Sequence, residues 1–257
     1  TSTGGIVSLP GGGQLSGTGK LEVSGSTWVL GGDFVKSSGT LTTTIDNSTT
    51  SQTTLKLEDN STLTSNEKLN FENLNLNDFT LILDNSTSDL TVQNAITIDA
   101  SGEGISSGEA DLILMSSLNM SQGLLGSTGG TWILSKDFVK SGGTLTISQT
   151  DLELRDSIKL TSDEPLSFDK LNLNHKTLTL GSSTSDLTVQ NAINETGTIS
   201  QNTEGISTGD ADLILKKYLK IFEEGSITST GGTISLQEGG ELSGNTIGNG
   251  ILDVSGS

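Results

Sequence analysis

The sequence predicts an all-β fold, a parallel β-solenoid of about 20 residues per coil, and two observations carry that expectation. The first is long-range self-similarity. Ser26-Thr-Trp-Val-Leu-Gly-Gly-Asp-Phe-Val-Lys-Ser-Ser-Gly-Thr-Leu41 returns as Gly130-Thr-Trp-Ile-Leu-Ser-Lys-Asp-Phe-Val-Lys-Ser-Gly-Gly-Thr-Leu145. Ser86–Ile96 recurs letter for letter at Ser183–Ile193, Glu103–Leu114 recurs closely at Glu204–Leu215, and Ser127–Gly130 recurs at Ser229–Gly232. These landmarks lie 104, 97, 101 and 102 residues apart. The unit is therefore about 100 residues, with small insertions that belong in loops able to lengthen without disturbing a core. The second observation is a short-range alternation of apolar residues two apart, the pattern of a half-buried strand.

Taken in order, that alternation gives Leu21-Glu-Val23, Trp28-Val-Leu30, Leu55-Lys-Leu57, Leu81-Ile-Leu83, Leu90-Thr-Val92 and Ile96-Thr-Ile98. It continues through Leu112-Ile-Leu114, Trp132-Ile-Leu134, Leu145-Thr-Ile147, Leu152-Glu-Leu154 and Ile158-Lys-Leu160. The triplets commonly start six to nine residues apart. Gly, Asn, Asp and Ser stand between them, as turns require. Three strands and their turns make one coil, about five coils make the long unit, and about a dozen coils make the chain. Each strand pairs with its counterpart in the next coil at ~4.8 Å, and inward Leu, Ile and Val form columns. No coil is stable alone, because the core exists only where neighbours stack.

Two segments challenge this reading with amphipathic helical patterns, Glu67–Leu74 and Leu213–Glu224. The repeat partner of the second, Leu112–Gly123, is a poor helix, and equivalent positions of a solenoid share one conformation, so both segments are expected as strands. Residues 1–257 then form one continuous solenoid, with long-repeat copies over roughly 26–129 and 130–231 and partial copies at both ends. Ser2–Ser26 and Ser229–Ser257 match each other and neither reads as a polar cap, which points to an excerpt of a longer array.

Composition narrows the function. Hydrophobic residues are 31% and aromatics 4%, lean for a two-layer enzyme but enough for a thin solenoid core. A net charge of −18 disfavours nucleic acid and anionic membrane surfaces, which call for basic patches. No apolar run approaches the length of a membrane span, and there are no cysteines.

The polar residues offer few unique constellations. Carboxylates occur in matched pairs: Asp33 and Asp137, Asp89 and Asp186, Glu103 and Glu204, Glu109 and Asp210, Asp111 and Asp212. Acidic, Asn-rich turns suit calcium, yet neither an EF-hand loop nor a Gly-Gly-x-Gly-x-Asp nonapeptide is present. Paired carboxylates also suit a glycosidase, but duplicated acids would imply duplicated sites, so solvated turn residues are the simpler reading. His175, the only histidine, falls opposite Asp78 in the repeat and reads as an exposed turn residue rather than a base. Gly13–Lys20 ends like a phosphate loop but has Gln14 where a glycine is needed and Leu21 where Ser or Thr is needed. Trp28 and Trp132 occupy matching strands and read as core, with sugar stacking as the competing use. Asn47, Asn60, Asn85, Asn119 and Asn194 fit Asn-x-Ser/Thr, and Asn73–Asn77 and Lys170–Asn174 place Asn where stacked coils would form ladders. No catalytic, cofactor-binding or metal-binding residue is assigned, and calcium is the one cation kept open.

Phrases such as Gly39-Thr-Leu-Thr42, Gly143-Thr-Leu-Thr-Ile147 and Gly19-Lys-Leu-Glu-Val-Ser-Gly25 resemble the repeats of large bacterial surface proteins, the autotransporter passengers and filamentous-haemagglutinin-like adhesins. The resemblance implies a right-handed parallel β-helix, export to the cell surface, and a role in adhesion or in building a fibre or layer. The expected function is thus a non-enzymatic structural repeat segment of a giant extracellular protein: a stalk, filament or sheath. Its expected partners are copies of itself or cell-surface components. An adhesin for carbohydrate or a receptor is the alternative, and a polysaccharide-active β-helix is the third reading. Ice binding would need flat rows of Thr-x-Thr, which Thr42–Thr44 alone does not supply.

Overall fold

The computed structural model describes residues 4–43, 52–194, 197–199, 204–221, 225–242, 245–248 and 251–254. Among them every element is a strand and none is a helix. The fold is a parallel β-solenoid of about 10 turns, with successive coils roughly 21 residues apart. Both segments with helical patterns are extended: Leu69–Phe71 and Asn73–Asn75 in the first, Leu213–Leu215 and Leu219–Ile221 in the second, whose residues 222–224 lie outside the described ones. The chain forms two compact units, Thr1–Thr131 with Gly142–Thr146, and Trp132–Ser141 with Ile147–Ser257.

In the first unit the chain visits three ladders in turn. Thr54–Leu57, Ser61–Ser65 and Leu69–Phe71 supply one coil, and Asn73–Asn75, Thr80–Leu83 and Leu90–Val92 the next. Each strand pairs in parallel with its counterpart, Thr54 opposite Asn73, Ser61 opposite Leu81, and Leu69 opposite Leu90. This register keeps like side chains in columns. Leu69, Leu90 and Leu112 stack inside, and so do Phe71, Val92 and Leu114, all of them buried. In the second unit the columns are Leu166, Leu187, Leu213 and Ile234, and Phe168, Val189, Leu215 and Leu236. A one-residue slip would turn every column outward, so burial enforces the register.

From Thr27–Leu30 up to Thr131–Leu134 the described residues hold fourteen strands. At three strands per coil this is four coils and two further strands, in keeping with the roughly five coils expected from the sequence.

Trp28 and Trp132 are core residues, 0% and 1% exposed. Each sits in a trio of rings built from the same repeat positions. Trp28 meets Phe34 edge-on at 4.8 Å and Phe71 at 6.0 Å. Trp132 meets Phe168 at 5.7 Å and Phe138 at 6.1 Å. Burial at this level removes the sugar-stacking reading, since no face of either indole reaches solvent. Neither indole Nε1 has a hydrogen-bond partner, a cost that the area and ring contacts of three packed aromatics offset.

The Gly-Thr-Leu phrase also has a structural cause. Gly39 and Gly143 adopt φ of 81° and 78°, a region L side chains rarely enter. A methyl group on Gly39 would lie 2.5 Å from the Gly19 carbonyl oxygen of the coil below, and one on Gly143 would strike the Gln122 carbonyl oxygen.

The aromatic trio sets the first expected outcome. Trp132→Ala should lower unfolding free energy by about 3–5 kcal/mol, measured by urea denaturation. A loss below about 1 kcal/mol would contradict a packed, fully buried indole.

Candidate functional site

The matched carboxylates are hooks between coils. In the first unit Asp89 Oδ1 accepts the backbone N–H of Asp111 at 3.1 Å, and Asp111 Oδ1 accepts that of Thr131 at 2.8 Å. In the second unit Asp186 Oδ1 accepts the N–H of Asp212 at 2.8 Å, and Asp212 Oδ1 accepts that of Thr233 at 2.6 Å. Their own carbonyls accept in the other direction, from Leu69, Leu90, Leu166 and Leu187. Asp33 and Asp137 act the same way one corner along, taking the N–H groups of Thr62 and Lys159, each at 2.8 Å. Strands here are only three to five residues long at most of these places, so many amides fall at corners where no ladder continues. An Asp at the corner supplies the missing acceptor, and a charged acceptor makes the stronger bond.

The remaining acids are spread out. Glu103 Oε2 accepts from the Asp99 and Ala100 amides at 2.9 and 3.2 Å and so closes its own turn. Glu204 is buried, and its Oε1 accepts from Asn194 Nδ2 at 2.9 Å. Asp210 Oδ1 lies 3.1 Å from the Thr230 hydroxyl, and Glu109 packs against Gly129. Among the described residues no three acidic or histidine side chains converge into a cation site.

His175 lies in a tight turn, as its repeat register implied. Asn174 and His175 have φ of 49° and 61°, Asn77 and Asp78 have 53° and 70°, and Lys176 and Phe79 donate back to Leu173 and Leu76. Two positive φ values in succession are the signature of a type I′ turn, which Asn and Asp tolerate. The imidazole is 66% exposed and its Nδ1 stands 4.0 Å from Glu204 Oε1. Gly13–Lys20 is strand, turn and strand, with Gly13–Leu15 and Lys20–Glu22 as the strands, so no helix N-terminus exists there to cradle phosphate. Among the Asn-x-Ser/Thr sites, Asn60 and Asn194 use their carboxamides on backbone groups, while Asn47 lies outside the described residues.

An amide ladder does form. Asn94 Nδ2 donates to Asn73 Oδ1, and Asn73 Nδ2 donates to Gln52 Oε1, both at 2.8 Å, linking three coils. In the second unit the matching region opens into a shallow groove lined by Ser148, Gln149, Ser167, Phe168, Asp169 and Gln190. A register shift between Phe168 and Lys170 bends the strand there, and Gln149 takes φ 53°. Gln190 Nε2 donates to Ser167 Oγ at 2.8 Å, and Asn191 Nδ2 to Asp169 Oδ1 at 2.5 Å. Amide, hydroxyl and carboxylate groups side by side are the chemistry that meets sugar hydroxyls.

Sequence reasoning missed the buried lysines. Lys36 and Lys140, equivalent in the two copies, have side chains 0% and 2% exposed. Lys36 Nζ lies 2.6 Å from Asn66 Oδ1 and 3.1 Å from Glu67 Oε1. Lys140 Nζ lies 2.5 Å from Asp163 Oδ1 and 3.0 Å from Glu164 Oε1. The signal was present in the phrase Phe-Val-Lys: a residue two after an inward Phe also faces inward. Burial by itself pulls the Lys140 ammonium toward a lower pKa, but the hydrogen bonds and charges of Asp163 and Glu164 outweigh it, and the group is held above the ordinary lysine value of 10.5.

Asp111→Ala should cost about 1–3 kcal/mol, whereas Asp111→Asn, which keeps an acceptor oxygen, should cost markedly less. Equal losses in urea titrations would mean that the hook is not the reason for the residue. Because the folded pKa of Lys140 is raised, its stabilisation is complete below the unfolded lysine value and is lost as pH rises through the folded one. Denaturation midpoints should therefore fall on going from about pH 9 to about pH 12, and Lys140→Met should flatten that fall. Compared with known proteins, the chain matches no family model, no curated protein and no solved structure.

Proposed function

We propose that this chain is a structural repeat segment of an extracellular or cell-surface protein, where it serves as stalk, filament or sheath and catalyses no reaction. One observation carries the reading: four aspartates that recur between copies are committed to holding coil to coil. Asp89, Asp111, Asp186 and Asp212 each spend a carboxylate oxygen on the amide of the following coil. A residue kept for catalysis needs a free reactive atom beside a partner of matched pKa. These acids are placed instead where a stack of any length would need them. Partners on this reading are further copies of the chain or components of the surface that carries it.

A second reading, an adhesin for carbohydrate, is favoured by the groove of Gln149, Ser167, Asp169 and Gln190. The buried tryptophans take no part in it. The third reading, a polysaccharide-active enzyme, has the weakest footing, because the repeated carboxylates serve the backbone.

Surface proteolysis on intact source cells should release peptides of this chain, and antibody raised against it should label unpermeabilised cells. Labelling only after permeabilisation would overturn the location. On a glycan array the purified chain should stay at background if its role is purely structural. Reproducible binding that disappears in Gln149→Ala and Gln190→Ala, with unfolding midpoints unchanged, would establish the adhesin reading in its place.

A further inference from the structure

The two buried lysines differ in one atom group that decides their chemistry. Lys140 faces two carboxylates, Asp163 and Glu164. Lys36 faces a carboxamide, Asn66, with the Glu67 carboxylate beside it. An amine held against a carboxamide, with a carboxylate at hand to carry protons, is the constellation for amide exchange.

We propose that Lys36 and Asn66 join in an intramolecular isopeptide bond. Glu67 takes a proton from the Lys36 ammonium, and the freed Nζ lone pair attacks the Asn66 carbonyl carbon, one bond from the oxygen it already contacts at 2.6 Å. Glu67 returns the proton to Nδ2, the Cγ–Nδ2 bond breaks, and ammonia leaves. The Nζ–Cγ bond replaces the Cγ–Nδ2 bond, the second ammonium proton departs with the ammonia as ammonium ion, and Glu67 is regenerated. No oxidant or reductant is consumed. Three features favour the step. The amine is sealed from solvent, so water does not compete at that side. The fixed approach of two groups replaces a bimolecular encounter. Asn66 itself is exposed, which gives the ammonia an exit and makes the step irreversible. Lys140 makes no such bond: a carboxylate is a poor acceptor of a nucleophile, and its ammonium is held protonated.

The bond would close a loop across 30 residues and weld the strand Phe34–Lys36 to the turn of the next coil, Ser65–Glu67. Such a weld resists pulling along a stack whose coils are otherwise joined by hydrogen bonds.

The test is the intact mass of the purified, folded chain after incubation at neutral pH. The wild type should be lighter by one ammonia, and Lys36→Arg and Glu67→Gln should keep full mass. After denaturation and trypsin digestion, the wild type should yield Leu21–Lys56, uncut at Lys36, linked to Leu57–Lys68. That peptide is read on the wild type alone, so it stands even if a variant fails to fold. A full-mass wild type cut normally at Lys36 would overturn the proposal. So would an ammonia deficit that persists in Lys36→Arg, because it would report a succinimide at another Asn.

Discussion

Parallel pairing between consecutive coils is the constraint on which everything else in this protein depends. A single coil of about 21 residues buries almost nothing by itself. Its strands are satisfied only by the strands before and after, and its inward leucines only by the columns they join. The backbone then sets a problem at every corner. Where a short strand ends, its amides lose their ladder, yet they remain close to the core. In each unit the answer is a short acceptor side chain held at the corner: Asp33, Asp89 and Asp111 in the first, Asp137, Asp186 and Asp212 in the second.

The strong acidity follows in part from that solution. A carboxylate accepts from an amide without needing a donor of its own to be matched, and it accepts more strongly than a neutral oxygen. Stacking it coil upon coil puts like charges near one another, which costs energy at low salt. Each carboxylate faces at least one amide dipole, and at Asp89 a lysine as well, Lys68 at 3.3 Å. Asn and Ser perform the same office elsewhere without charge, as at Asn60 and Ser157.

Much of this architecture was legible in the letters. The apolar triplets mark strands because period two is what a half-buried strand imposes, and Trp28 and Trp132 fall on inward positions of those triplets. The turn at Asn174 and His175 was readable from its variable repeat partner Asp78, since exposed turn positions are the ones most free to change between copies. The carboxylates were found in pairs but their purpose was not, because a hook onto a backbone amide one coil away leaves no trace in local sequence.

Lys36 and Lys140 show where local rules fail for a physical reason. A lysine inside a core is costly unless it is paired, and removing one partner of a buried pair is far more damaging than replacing the pair by apolar residues. Both copies nevertheless retain the lysine at the same inward position two residues after Phe34 and Phe138. Methionine would fill that space at no electrostatic cost, so packing alone does not account for an ammonium there. The partners come from the following coil in each case, 30 residues on for Lys36 and 23 for Lys140. A long stem carries the nitrogen through the core to the seam between coils, where the turn of the next coil can hold it. The lysine thus does what the corner aspartates do, from the inside: it fixes which turn lies over which strand. Hydrophobic columns of Leu, Ile and Val are interchangeable along a stack, and a stack of interchangeable layers can slip by a coil. A buried charge that is satisfied by only one turn, at Lys140 throughout and at Lys36 until its cross-link forms, removes that freedom, because any slipped arrangement would leave the ammonium in the core without a counter-charge.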